Sequence, residues 1–464
     1  MNSALDWTDR VLELQVDAVA HGGHCVARHD GRVVFVRHAL PGERVRAVVD
    51  EDTGGGFCRA SAVAVLAASP DRVAAPCTWA RAGGCGGCDL QHVAPPAQRG
   101  WKAQVLAEQL ARLAGVHREI EVEELPGGPL GWRTRVRLAV DDEGRAGLRA
   151  HRSHDVLAVA DCPLAPPGAL DAVLGRRFPA GEVDVVVDAG GAVHTTCTSD
   201  GRAGGDGTVG GRAGGGGAGR RGAGDDRACG DGGGEDCPGD DGPVTVRAAG
   251  LEWRLSPGVF WQVHPALPDV LAQVVGEWAA APRGGTAWDL YGGVGLFAAV
   301  LAEQVGPDGS VTVVESARDA VDDGRAALAD LPQVGWRVGR VEKVLTGLPD
   351  APDVVVADPP RKGLGRAVVD ALAAHGPAQV VYVACDPAAL ARDVAFFAGH
   401  GYTLGPLRAF DAFPMTHHME CVALLSRPPS SPARPSPRTA APPSPRRPGP
   451  RPSSSAAAPD APAR

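Results

Sequence analysis

The stretch Asp289-Leu290-Tyr291-Gly292-Gly293-Val294-Gly295-Leu296-Phe297 constrains the fold of this chain more than any other. It follows an apolar run, Thr286–Leu290, and leads into a helical pattern at 297–304. Glycines at such a junction let the backbone approach a ligand closely. The alternation then continues. Ser310–Glu315, Val354–Ala357 and Gln379–Ala384 read as strands. Residues 317–331, 365–374 and 387–398 read as helices, and a hairpin closes the pattern at 402–426. This order predicts an α/β domain with a mostly parallel, doubly wound sheet. Ligands of such sheets sit outside the carboxyl ends of the strands.

The N-terminal part reads differently. Residues 12–19, 32–37, 44–50 and 59–66 are short valine-rich strands, separated by Gly22-Gly23, Asp30-Gly31, Pro41-Gly42 and Gly54-Gly55-Gly56. That density of strands predicts a small β-barrel over 1–70. A glycine-rich cysteine loop follows at 77–88, and then an amphipathic helix at 98–114. Residues 131–195 read as strands and turns, and Arg133, Arg135 and Arg137 alternate along one of them. They face either phosphates or plain solvent. Residues 199–243 are a glycine-rich insert of low complexity, too poor in apolar side chains to offset ordering entropy. Strand-like sequence resumes at 244–255, so the insert is expected between two strands of one sheet. The tail at 428–464, rich in Pro, Ser, Ala and Arg, is expected to be disordered.

The chain has 464 residues, room for about three domains. No apolar run reaches the ~18 residues that span a bilayer. The first residues carry neither a basic region nor an apolar core of a signal peptide, so a cytoplasmic protein without membrane contact is expected. Stable disulfides among the 11 cysteines are then not expected, and metal or catalytic roles fit some of them. The net charge of −9 is not that of a basic nucleic-acid binder, but acidic residues concentrate in the insert at 223–241.

The chemistry-bearing segments come late. Glu315 ends the second strand, where an acid can hold two ribose hydroxyls. The spacing D-x-x-x-G-x-G, with Ala298 where a dinucleotide site has a third glycine, is closer to methyltransferases. Asp358-Pro359-Pro360-Arg361-Lys362-Gly363 ends one strand and Cys385-Asp386-Pro387 another. Phe413-Pro414-Met415-Thr416-His417-His418-Met419-Glu420 precedes the last strand. A thiolate can add to carbon 6 of a uracil and make carbon 5 nucleophilic. A carboxylate can then take the carbon 5 proton, and the thiolate leaves. Cys385, at a helix N-terminus, is expected to have a lowered pKa. Taken singly, Cys385 also reads as a core thiol, Glu420 as a surface acid, and His417 and His418 as loop residues. Cys421 reads as core.

Together these residues resemble the bacterial RNA 5-methyluridine methyltransferases. The resemblance spans 11–426 except the insert. It is carried by Phe260-Trp261-Gln262-Val263-His264, the glycine loop, Glu315, the segment 358–363, the segment Cys385 to Asp393, and the loop ending at Glu420. It implies a Rossmann-like, S-adenosylmethionine-dependent methyltransferase domain at 266–427, with the helix 97–115 packed on it. It implies an OB-like TRAM barrel at 1–70 that binds RNA. Between them, at 71–265, it implies a mainly-β domain that bears a metal cluster. Cys385 then matches the nucleophile and Glu420 the proton acceptor, while Gln262, Tyr291, Glu315 and Asp358 match the contacts to S-adenosylmethionine. The family often has asparagine at Leu296 and an acid or amide near Arg340, so those two cofactor contacts are not implied here. It also often has asparagine where this chain has His264 and Asp386.

Cys77, Cys85, Cys88 and Cys162 match the cluster cysteines of family members acting on ribosomal RNA. Two-residue spacing of Cys85 and Cys88 lets both thiolates reach one metal centre. By spacing alone the quartet suits zinc as well as iron–sulfur; the resemblance implies a 4Fe-4S cluster. The implied activity is uridine carbon 5 methylation in RNA, of the 23S ribosomal type, by a monomer. Two alternatives stay open: a tRNA uridine-5 methyltransferase, and an RNA-binding ribosome-assembly protein with a degenerate site. An amino-methyltransferase, read from Asp358-Pro359-Pro360, would want an aromatic residue where Arg361 stands.

Overall fold

The computed structural model describes residues 6–199, 242–348 and 351–427. The N-terminal strands Val11–Ala20, His24–His29, Arg32–Arg37, Arg44–Asp52 and Phe57–Ala67 close into a barrel. Strict alternation does this. Leu12, Leu14 and Val16 point inward from the first strand while Val11, Glu13 and Gln15 point out. The interior is sealed by Val34, Val36, Val45, Ala47, Val49 and Ala60.

The second half is an eight-stranded sheet. Its parallel part runs in the order Val334–Val338, Ser310–Glu315, Thr286–Leu290, Val354–Ala357, Gln379–Ala384. The antiparallel strands Glu420–Ser426 and Thr403–Asp411 continue it, and Val122–Glu124 pairs parallel to the far edge. Four strands match their expected bounds residue for residue. The short Val334–Val338 was not legible: its burial is partial, so no apolar run marks it. Two cores cover the two faces. Leu106 and Leu110, from the helix Pro95–Gln109 and the π-turn Leu110–Ala114, enter one of them beside Trp288 and Tyr382.

Two expectations are corrected here. Val193–Ser199 and Val244–Ala248 do not share a sheet. The first edges a five-stranded sheet; the second pairs with Leu251–Leu255 in a separate hairpin. The intervening insert lies outside the described residues but for its ends, and the tail lies outside them too. Cys197 is disulfide-bonded, against the expectation of free thiols. No helix among the described residues is long and apolar enough to cross a membrane.

Candidate active site

The carboxyl ends of the parallel strands form one edge, and the chemistry-bearing segments meet there. Tyr291, Glu315, Asp358 and Cys385 each follow or end such a strand. Glu420 reaches the same edge from the opposite direction, because its strand runs antiparallel. The last Cα pair between the two strands is Ala384 with Cys421. One step further, Cys385 stands across from Glu420.

The glycine loop shows why three glycines are needed. Gly292 has no room for a Cβ, which would lie 2.5 Å from Val313 Cγ1. Gly295 combines a φ of +83° with a Cβ position 2.9 Å from Leu328. Gly293, at φ +54°, faces open space instead. Here no side chain or backbone closes over the turn. Glu315 holds this loop: its Oε2 accepts from the Gly293 N–H at 3.0 Å, and its Oε1 from the Ala317 N–H at 2.7 Å. Asp289 is fully buried and accepts from the Ala298 N–H at 2.9 Å. Its Oδ1 is a buried polar atom with no partner among the described residues. Burial pushes the Asp289 carboxyl up to about 8, so it holds its proton. Gln262 is half-buried, between Trp261, which packs on Trp253, and Val263, whose carbonyl accepts from Thr134. Leu296 is buried in the core, and Arg340 is exposed at the sheet edge.

Three acids crowd the other side. Burial pushes Asp358 up to about 7. Burial, reinforced by Asp358 and opposed by Arg361, raises Glu420 well above a usual carboxyl, and its Oε1 has no partner among the described residues. Cys385 corrects an expectation. Its thiol is pushed up to about 12, not down, by burial first and then by the charges of Glu420 and Asp358. The helix N-terminus behind it is outweighed by desolvation beside two carboxyls. Asp386 caps that helix, accepting from the Ala389 N–H at 2.7 Å. Burial acts to raise its pKa, yet bonds from His21 and Ala389 hold it lower. His21 lies in the barrel turn, 3.3 Å from Asp386.

The loop carrying Glu420 is held by residues the sequence did not mark. Gln98 accepts from the Met415 N–H at 2.8 Å and donates to the Val93 carbonyl at 2.8 Å. Lys102 is buried and pairs with Asp411 at 2.5 Å. Asp89, next to Cys88, takes His417 Nδ1 at 2.6 Å and Arg37 of the barrel at 3.1 Å. A charged or amide side chain on an amphipathic helix's buried face was the one available signal. Cys421 is fully buried, as expected. His264 is buried against Trp132, and burial lowers it to about 4, so it is neutral.

Cys77, Cys85 and Cys88 are half-buried and Cys162 is buried. Burial raises the Cys85 thiol, and the neighbouring Cys162 and Cys77 add to it. Burial likewise pushes Cys88 up to about 12, with Cys162 and Cys85 beside it. Among the described residues, no three His, Cys, Asp or Glu side chains converge as ligands of a metal ion. The arginine row is not a free cationic face. Arg137 pairs with Asp184 at 2.8 Å, and Arg135 donates to the Val259 carbonyl at 2.5 Å. Only Arg133 stays near the cysteines, with Nη1 3.8 Å from the Cβ position of Gly87.

Comparison with known proteins agrees with this geometry. Residues 9–63 match the TRAM domain, and residues 350–428 match the tRNA (Uracil-5-)-methyltransferase family. An uncharacterized RNA methyltransferase of Streptomyces avermitilis is 44% identical over 89% of this chain and 97% of its own length. The 23S rRNA (uracil(1939)-C(5))-methyltransferase RlmD of Alkalilimnicola ehrlichii is 32% identical over 90% of this chain and 96% of its own length. The Pyrococcus abyssi tRNA (uracil-54, C5)-methyltransferase, solved with S-adenosyl-L-homocysteine, shares the fold. Its TM-score is 0.64 at 21% identity, covering 89% of this chain and all of that one. A sheet edge that sets a cysteine against a glutamate, a TRAM barrel and these relatives lead to one conclusion: the chain belongs to the RNA 5-methyluridine methyltransferase family.

Proposed function

We propose that this protein methylates carbon 5 of a uridine in RNA, with 23S ribosomal RNA as substrate and S-adenosylmethionine as methyl donor. The observation that carries the reading is the register that brings Cys385 across from Glu420. Bound S-adenosylmethionine supplies an electrophilic methyl group. Glu315, Tyr291, Asp358 and Gln262 are the residues that would hold it. The open backbone at Gly293 supports that fit.

The chain's own part is proton and thiol chemistry. Cys385 must lose its proton before it bonds to carbon 6 of the uracil, whose electron pair moves toward the carbon 4 oxygen. After carbon 5 is methylated, Glu420 takes the carbon 5 proton, the ring double bond re-forms, and the sulfur leaves carbon 6. Positive charge brought among Cys385, Asp358 and Glu420 favours their ionised forms, and Arg361 already acts in that sense. The base must leave its stack to reach this buried edge.

Cys77, Cys85, Cys88 and Cys162 would hold a 4Fe-4S cluster. The four thiols neighbour one another, and the Gly87 N–H points at Cys85 Sγ at 3.4 Å. The division of labour would be RNA capture by 1–70, cluster support by 71–265 and chemistry by 266–427, in a cytoplasmic monomer.

Tritium release tests the activity: 23S ribosomal RNA fragments bearing 5-tritiated uridine should lose label only with S-adenosylmethionine present. Release from tRNA alone would transfer the reading to tRNA, the substrate printed in the name of the Pyrococcus abyssi protein. Calorimetry showing no cofactor binding would support a degenerate site instead.

A further inference from the structure

We propose that His21, in the first turn of the barrel, is a positioning residue for the nucleophile: it orients the carboxylate of Asp386 and offsets the charge that this carboxylate presents to Cys385. The proposal rests on the reading of Cys385 as nucleophile given above. The turn comprises His21, Gly22 and Gly23, between the strands Val11–Ala20 and His24–His29. It packs on the catalytic edge at two places. His21 Nε2 lies 3.3 Å from Asp386 Oδ2, and Asp386 directly follows Cys385. Gly23 meets the loop before Glu420: a Cβ there would lie 2.8 Å from Asp89 Cβ and 3.1 Å from His417 Nδ1. The space left between the turn and Lys102, His417 and Met419 is about 20 Å3, room for about one water. A turn packed this closely has little freedom to withdraw His21 from Asp386.

The two oxygens of Asp386 have separate tasks. Oδ1 accepts from the Ala389 N–H at 2.7 Å and caps the helix Pro387–Ala398. Oδ2 is the one that meets His21. With one oxygen held, the carboxylate can still turn about that bond; with both held, its plane is fixed. Charge is the second effect. Burial, Glu420 and Asp358 all keep the Cys385 thiol protonated; Arg361 opposes them, and the charge of Asp386 adds to them. A hydrogen on His21 Nε2 draws on that last charge and leaves less of it facing the sulfur. An asparagine, frequent at this place in the family, caps a helix as well as an aspartate does and carries no charge. His21 and Asp386 together therefore approach what a neutral cap does alone. His21 keeps 39% of its side chain exposed, so its loss should cost the fold little.

The test is a double-mutant cycle on the full-length protein, read by iodoacetamide alkylation of Cys385 at one neutral pH. Mass spectrometry of the peptide that carries Cys385 gives the rate. His21→Ala should slow alkylation about threefold, because less thiolate is present. Asp386→Asn keeps the cap, removes the charge and should alkylate no more slowly than wild type. Adding His21→Ala to Asp386→Asn should change nothing further, since the partner charge is already gone. In tritium release, His21→Ala should lower kcat by about threefold and leave the KM for RNA within about twofold. Alkylation of His21→Ala at the wild-type rate overturns the proposal. So does an equal slowing in the Asp386→Asn background, or a raised KM with unchanged kcat, which would make His21 an RNA contact. A wild type that releases no tritium sinks the methylation reading and leaves the alkylation cycle standing.

Discussion

Cys385 and Glu420 face each other one step beyond the Ala384–Cys421 pair, where a parallel strand meets its antiparallel neighbour. Burial raises the pKa of both, and Glu420 adds to the rise at Cys385.

Their roles separate on substitution. Cys385→Ala should abolish any RNA adduct that survives denaturing electrophoresis. Glu420→Gln should slow turnover by about 10²–10⁴-fold, the usual worth of a general base, while the adduct accumulates. An adduct with Cys385→Ala would remove Cys385 from the mechanism.

Asp289 makes stability pH-dependent. Its folded pKa is about 8, well above the ordinary carboxyl value, so between about 4 and 8 the folded chain holds a proton the unfolded chain has lost. Stability is then fully present below the unfolded pKa and falls as pH rises through this window, on the order of 1.4 kcal/mol per pH unit for such a group. Asp289→Asn should flatten that slope in urea titrations from pH 5 to 8. An unchanged slope would mean the carboxyl is ionised in the fold.

Lys102 and Asp411 join the first helix to the strand end that leads into the loop before Glu420, at 2.5 Å. Lys102→Met leaves Asp411 buried and uncompensated, and should cost about 3–5 kcal/mol in urea unfolding. Adding Asp411→Leu should restore most of it. A single variant as stable as wild type would show that the pair is not buried in solution.

The cysteine quartet makes a compositional prediction. Protein purified without oxygen should contain iron and acid-labile sulfide, with broad visible absorbance that Cys88→Ser removes. Zinc in place of iron would identify a structural ion instead.

Much of the site was legible because it is local. Strand ends, glycine turns and the residues just after them lie within a few positions of each other, and alternation of apolar runs marks them. So Cys385, Asp358, Glu315 and Glu420 could be assigned to one sheet edge from spacing. The valine-rich barrel was legible for the same reason.

What the sequence by itself determined is this order of elements and the residue types at the strand ends. The tertiary structure decided their electrostatics and their company. Cys385 lies at a helix N-terminus, and local reasoning lowers its pKa, but burial beside two carboxyls raises it. Arg135 and Arg137 alternate like a phosphate-facing row, yet the backbone of Val259 and the carboxylate of Asp184 take them. Asp89 meets His417 across 328 positions of chain. Desolvation and long-range pairing depend on which surfaces the folded chain brings together, and neither leaves a periodic mark in the sequence.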